Sequence, residues 1–303
     1  MSGIQIVTDS VAYIPPELAR ERDIEVASLF VRHGSEEHRE SEMDIDRFYQ
    51  GIDAMVDDVP TSSQPSQHEL ESLFERAAQA GRAVLGVFMS ARMSGTYDGA
   101  VRAARTVKSR NLGFECVLVD SASACSDEGF AVLDACDARD AGATLRECAQ
   151  AAVDAIKSSR FLFTPESLAF LKAGGRIGSV SALLGSLVKI APVLTVVDGT
   201  PATFAKVRTT KRALEKIVAT LKEDMARCGG LKRIVVHYIG DRAPAAAWAR
   251  EVIEPLVGRE VLVQPASPVI GVHVGPAMGL AYECMEHLTG KLTSNAPELA
   301  FSA

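Results

Sequence analysis

Several machines that would announce an activity are missing from this sequence. It contains no Gly-x-x-x-x-Gly-Lys-Ser/Thr phosphate loop, and no dinucleotide fingerprint follows its first strand-like run. Met93-Ser94-Gly95 is not the Gly-x-Ser-x-Gly elbow of the α/β hydrolases. No two His residues stand with a Cys pair at zinc-site spacing, so no metal site is expected. The six Cys residues form no C-x-x-C pair and read as reduced, small apolar fillers. Positive charge is also short, with 32 Lys and Arg against 39 Asp and Glu. The resulting net charge of −7 argues against nucleic acid or an anionic membrane as a general partner, since each requires a basic face. No apolar run is long enough to span a bilayer, and Met1-Ser-Gly leads straight into Ile4-Gln-Ile-Val7 without an export leader. A cytoplasmic location is therefore expected.

What remains is organised around one stretch. Ala83-Val-Leu-Gly-Val-Phe-Met89 is short, continuous and apolar, as a buried strand should be. After Tyr97, residues Ala100, Val101, Ala104 and Val107 recur at helical spacing. Ser90-Ala-Arg-Met-Ser-Gly-Thr96 is thus a strand-to-helix turn carrying Ser94, Gly95 and Thr96. Free N–H groups, the helix dipole, two hydroxyls and a permissive Gly make it a candidate anion site.

Other strands end alike, in Thr8-Asp9-Ser10 and in Asp120-Ser121. Repeated strand–helix alternation predicts an α/β fold with a largely parallel sheet flanked by helices, whose ligands bind beyond the C-terminal strand ends. Singly, each Asp-Ser reads first as a turn former or cap; their clustering is what carries weight. Ile24–Arg32 is predicted as one strand, followed by a solvated polar loop containing His33 and His38. Ser66-x-x-Glu69 and Thr144-x-x-Glu147 are positioned as capping boxes. A second, smaller α/β unit is expected from about residue 161, dividing the chain into domains 1–160 and 161–290 with a polar, frayed tail at 291–303. Within it, helices are predicted over 182–188, 210–227, 243–256 and 278–288. His237 reads as a core residue. His273 falls in a Gly271-Val-His-Val-Gly275 loop, where the glycines would let backbone approach a ligand.

An ordered set of motifs resembles one family. They are Thr8-Asp9-Ser10, Ser62-Ser-Gln-Pro-Ser66, Ser94-Gly-Thr-Tyr97 and Val119-Asp-Ser121, then Leu171-Lys-Ala-Gly-Gly-Arg-Ile-Gly178, Lys206-Val-Arg-Thr209 and His273-Val-Gly-Pro276. Over residues 4–288 they resemble the DegV proteins, bacterial fatty-acid-binding proteins that include partners of fatty acid kinase. The resemblance implies two α/β domains with an apolar pocket at their junction for one long-chain fatty acid such as palmitate. It implies no catalytic residue and no cofactor, the kinase subunit bringing ATP and metal. Transient membrane contact for lipid exchange is compatible with this role in phospholipid metabolism.

Carried onto this chain, the carboxylate ligands fall on Ser62, Ser94 with Gly95, and His273. The family's usual Thr-Ser-Gln-Pro is here Ser62-Ser63-Gln64-Pro65, with Thr61 one place earlier, so Thr61 and Ser62 both stand as candidates. Arg176 resembles an arginine near the head group, and Arg208 one on the kinase-facing surface. Phe163, the segment 183–188 and the region 278–280 are candidate tunnel walls. Two alternatives remain: a serine hydrolase using Ser94 and His273, and a phosphate-ester-binding protein.

Overall fold

The computed structural model describes residues 3–183, 190–289 and 301–302, the last two as backbone only. In chain order the first half runs β1 (Ile4–Asp9), α1 (Pro16–Glu21), β2 (Ile24–Ala27), β3 (Phe30–His33), β4 (Glu36–Arg39) and α2 (Ile45–Tyr49). It continues with β5 (Thr61–Ser63), α3 (Gln67–Gln79), β6 (Ala83–Phe88), α4 (Thr96–Arg110), β7 (Cys116–Asp120), α5 (Cys125–Asp140) and α6 (Leu145–Ser158). The second half contains β8 (Ser159–Pro165), α7 (Ala169–Ala173), β9 (Ala191–Val197), β10 (Thr200–Val207) and α8 (Thr210–Arg227). After these come β11 (Leu231–Ile239), α9 (Arg242–Trp248), α10 (Glu254–Val257), β12 (Leu262–Pro265), α11 (Pro268–Val274), β13 (Ala277–Cys284) and β14 (Phe301–Ser302).

The first sheet has the order β7-β6-β1-β2, all parallel, with β14 antiparallel on the β7 edge. Every residue of β1 is buried, as a central strand covered on both faces requires. Its C-terminal end and those of β6 and β7 point the same way, which gathers Ser10, Ser90 and Ser121 along one edge. Phe301–Ser302 contradicts a wholly frayed tail, because its backbone completes hydrogen bonds that the β7 edge would otherwise leave to water.

The predicted strand over Ile24–Arg32 is two strands. β2 joins the parallel sheet, whereas β3 leaves it to pair with β4 and β5 in a small antiparallel sheet. The break falls at Ser28-Leu29, where the Ser28 N–H is taken by the Glu69 carboxylate, 3.2 Å away, and the Leu29 N–H by Ser10 Oγ, 2.9 Å away. Glu69 consequently does not close the capping box with Ser66; Ser66 Oγ still accepts the Glu69 N–H. The second box, Thr144 with Glu147, is complete. The polar stretch after His33 is strand β4, not a loop.

The second sheet has the order β10-β9-β8-β13-β11-β12 and is mixed, with only β11 and β12 parallel. Residues 277–284, which overlap most of the expected helix 278–288, form its strand β13 between β8 and β11. An apolar run buried on both faces has no period to betray a strand. Gly279 adds the steric reason: a Cβ there would lie 2.2 Å from the Leu162 carbonyl. The expected helix over 243–256 is interrupted by a π-turn at Ala249–Ile253. The expected helix over 182–188 lies mostly outside the described residues; Leu183 ends a 3-10 turn that begins at Gly178.

Helix α5 lies against both sheets, and its first eight residues are all buried. It has no single apolar face because it has no solvent face for most of its length. Part of its buried polar surface is matched in place: Ser126 Oγ with His237 Nε2 at 2.9 Å and Gln264 Nε2 at 3.1 Å, and one Glu128 oxygen with the Thr8 hydroxyl at 3.3 Å, while Asp127 Oδ1 and the other Glu128 oxygen have no partner among the described residues. His237 is thus a buried, bonded residue, as expected.

Candidate ligand-binding site

A cavity of about 330 Å³ opens where the end of β6, strand β5, α7 and α11 come together. That volume lies within the range of small-ligand pockets, ~300–1,000 Å³. Ser62, Ser94, Gly95, Arg176 and His273 all line it, from four separate places in the sequence. Leu29, Met89, Met93, Leu171, Val269 and Ile270 supply apolar wall.

Ser62 sits on β5 opposite Val31 of β3. Side chains alternate along a strand, so Thr61 and Ser62 face opposite ways. Thr61 is exposed and absent from the cavity lining, and the junction therefore presents Ser62. Its Oγ lies 2.8 Å from His273 Nε2. These residues are 211 positions apart, and their contact is the central polar feature of the cavity.

His273 is not in a loop. It occupies the last turn of α11, a helix opened by Ser267, whose hydroxyl accepts the Ile270 N–H, and by Pro268 at its first position. The glycines around His273 do not face a ligand: a Cβ on Gly271 would strike Tyr49, and one on Gly275 would strike Phe170. They let the helix settle between two aromatic rings. Gly174 serves the histidine directly, since a Cβ there would lie 2.3 Å from His273 Nδ1. Burial, followed by the nearby Arg176 charge, lowers the His273 pKa to about 4, so the imidazole is neutral at physiological pH. Its Nδ1 has no hydrogen-bond partner among the described residues.

Ser94 precedes α4. Its Oγ accepts the Thr96 N–H at 3.2 Å and lies 2.8 Å from Thr96 Oγ1. Gly95 leaves room for Gln64, whose Oε1 would be 2.0 Å from a Cβ at that position. Arg176 is exposed at the cavity rim, tied by Nη1 to the Gly174 carbonyl at 2.6 Å and by Nε to the Met93 carbonyl at 3.4 Å. Arg208 is exposed between β10 and α8 and does not line the cavity.

The hydrolase pairing of Ser94 with His273 is not made. Ser94 bonds Thr96, and His273 bonds Ser62. A base whose pKa is about 4, with no carboxylate orienting Nδ1, is poorly suited to activating a hydroxyl. Among the described residues no group of three or more His, Cys, Asp or Glu side chains is placed to hold a metal ion.

A second, apolar slot of about 20 Å³ lies behind α11 and shares Ile270 and Val274 with the first cavity. Phe161 and Phe163 of β8, stacked with centroids 5.0 Å apart, and Ala277 and Gly279 of the adjoining β13 line it from the sheet, and Ile270 and Val274 line it from α11. Sequence reasoning singled out Phe163 and the 278–280 region, but not Phe161, Ile270 or Val274. Their alternation with polar neighbours gave no cue, because α11 is short and β8 is buried throughout.

The family model for DegV, described as an uncharacterised protein family, matches residues 3–284. The chain belongs to the DegV family. A DegV domain-containing protein of Clostridium acetobutylicum is 39% identical over 281 residues, covering 92% of this chain and 97% of that protein. Protein DegV of Bacillus subtilis is 32% identical over 287 residues, covering 92% and 99%. Among solved structures, DegV from Bacillus subtilis, described as a fatty acid binding protein, superposes with a TM-score of 0.82 at 30% identity, covering 94% of this chain and all of that one. A DegV family protein from Thermus thermophilus, described by its fatty acid binding, gives 0.81 at 29% identity with the same coverage. The mixed α/β architecture with its two main sheets is therefore that of fatty-acid-binding DegV structures.

Proposed function

We propose that this chain binds one long-chain fatty acid, such as palmitate, and carries it without transforming it. The observation that supports this most is the Ser62–His273 hydrogen bond, which with Ser94 and Arg176 gives a cavity of mainly apolar wall a polar part, and a separate apolar slot lies behind α11. In this reading Ser62, His273, Ser94 and the Gly95 turn hold the carboxylate. Arg176 offsets its charge from the rim, and Thr61 takes no part. Residues 1–160 and 161–290 act as two domains whose junction is the cavity, with 291–303 as a tail.

The energetics divide the labour. Each buried methylene contributes about 0.8 kcal/mol, so a long acyl chain grosses on the order of 10 kcal/mol before ordering costs. A hydrogen bond to the charged head adds roughly 1.5–3 kcal/mol. The tail sets affinity, and the hydroxyls set orientation.

The carried acid would be presented in the cytoplasm to a fatty acid kinase subunit that supplies ATP and metal and forms the acyl phosphate. Arg208 would lie on the meeting surface. Support for that partner is the resemblance at Lys206–Thr209 together with the exposure of Arg208. Lipid exchange would proceed by transient membrane contact.

Protein purified without added lipid should release a long-chain acid on extraction, detected by mass spectrometry, and should bind palmitate in a fluorescence displacement assay. Finding no lipid and no palmitate binding would sink the reading. Protection by a phosphate ester with none by palmitate would favour the phosphate-ester alternative.

A further inference from the structure

We propose that Glu40 is a positioning residue for this site, holding α11 and the β3–β5 pair in the register that brings His273 to Ser62. The proposal rests on the fatty-acid reading for its functional meaning, but its structural part stands apart from it.

Glu40 follows β4 and is 4% exposed, yet it does not line the cavity. One carboxylate oxygen accepts the Ser267 hydroxyl and the Val269 N–H, the latter at 2.8 Å. Both donors belong to the start of α11. The other oxygen accepts the Ser10 hydroxyl, at the end of β1. A seven-residue helix is marginal by itself, and a carboxylate on its free N–H groups stabilises its first turn. His273 lies four residues beyond Val269, so the helix carries the placement of its start to the imidazole.

The opposite side of the contact leads back to the same carboxylate. Ser10 Oγ accepts the Leu29 N–H at 2.9 Å, and the Leu29 carbonyl accepts the Glu40 N–H at 2.9 Å. Leu29 leads into β3, whose Val31 is paired with Ser62. Ser62 and His273 therefore hang from one buried group by two routes. Leu29 and Val269, the residues bonded to the Ser10–Glu40 pair, are themselves cavity wall. Burying a carboxylate against neutral donors alone is costly, which makes a purely decorative role for this group uneconomical.

The test uses Glu40→Gln, which keeps the shape but loses the charge and one acceptor oxygen, and Glu40→Ala. In the ligand-free protein, the His273 imidazole nitrogen resonances should move in both variants. Palmitate affinity should fall roughly tenfold in Glu40→Gln. In a His273→Ala background, the same Glu40→Gln change should alter affinity by less than about twofold, because the two act through one contact. Unmoved His273 resonances, or an equal affinity loss in both backgrounds, would overturn the proposal whatever happens to thermal stability. If Glu40→Ala does not fold, Glu40→Gln and Ser267→Ala give the same readouts. If the wild type fails to bind palmitate, the fatty-acid reading falls, while the His273 resonances still decide whether Glu40 positions the ring.

Discussion

The Ser62 hydroxyl and the His273 ring meet at 2.8 Å, and on the proposed reading they hold the head group together. Ser62→Ala should weaken palmitate binding by about ten- to a hundredfold in a calorimetric titration, the loss of a hydrogen bond to a charged head group. Thr61→Ala, one residue away on the solvent side of β5, should leave affinity unchanged; an equal loss in both variants would refute the strand-face argument. Gly174→Ala should act at a distance from the ligand. Its new Cβ would sit 2.3 Å from His273 Nδ1, so the ring must move or α7 must shift. The expected result is a loss of about 1–3 kcal/mol in stability by chemical denaturation, accompanied by weaker binding. The motif residues of this site were readable one by one from the sequence. Which of Thr61 and Ser62 faces the cavity was not, because that depends on the register of β5 against β3. The pairing of His273 with Ser62 rather than with Ser94 depended in turn on topology across 211 residues.

At the scale of elements, legibility followed local chemistry. β6, α3 and the Thr144–Glu147 capping box carry their own signals of apolar run, helical stripe and paired cap. α11 carries the wrong ones. Its Val, Ile and Gly content disfavours a helix, and it forms because Ser267 and the distant Glu40 satisfy its free N–H groups. β13 failed for the opposite reason, since a strand buried on both faces looks like any buried apolar segment. The slot on the α11 side of this sheet makes a prediction about specificity. Ile270 of α11 lines both the cavity and the slot, so Ile270→Trp should block the deep end. The acids co-purifying with that variant should shift to shorter chains in the mass spectrum; an unchanged distribution would place the acyl tail elsewhere.

For the whole molecule, buried titratable groups set a pH dependence. Burial raises Asp9 to about 7 and Asp127 to about 6, and pushes Glu128 well above the usual carboxylate range. Between pH 8 and 6.5 the native state takes up protons that the unfolded chain, with ordinary carboxyls near 4, does not. Stability must therefore rise as pH falls through this window, by up to about 1.4 kcal/mol per pH unit for each proton. Below about 6.5 the opposite term begins, because His237 and His273 are held neutral down to about 4 in the fold while the unfolded chain protonates them. A melting temperature higher at pH 6.5 than at pH 8, flattening below, is expected by calorimetry. In Asp9→Asn the upper slope should shrink, and a melting temperature that falls from pH 8 to 6.5 would contradict the assignment. The order of the second sheet has a further consequence, during synthesis. Its middle strand, β13, is the last of that sheet to be made, and until it emerges β8 and β11 each present an open apolar edge. His273 is translated just before it. A nascent chain thus acquires the closing half of its ligand seat only as its sheet acquires its centre. On the proposed reading lipid capture waits until β13 has emerged, and a stop codon in this stretch would leave an aggregation-prone sheet rather than a shorter carrier.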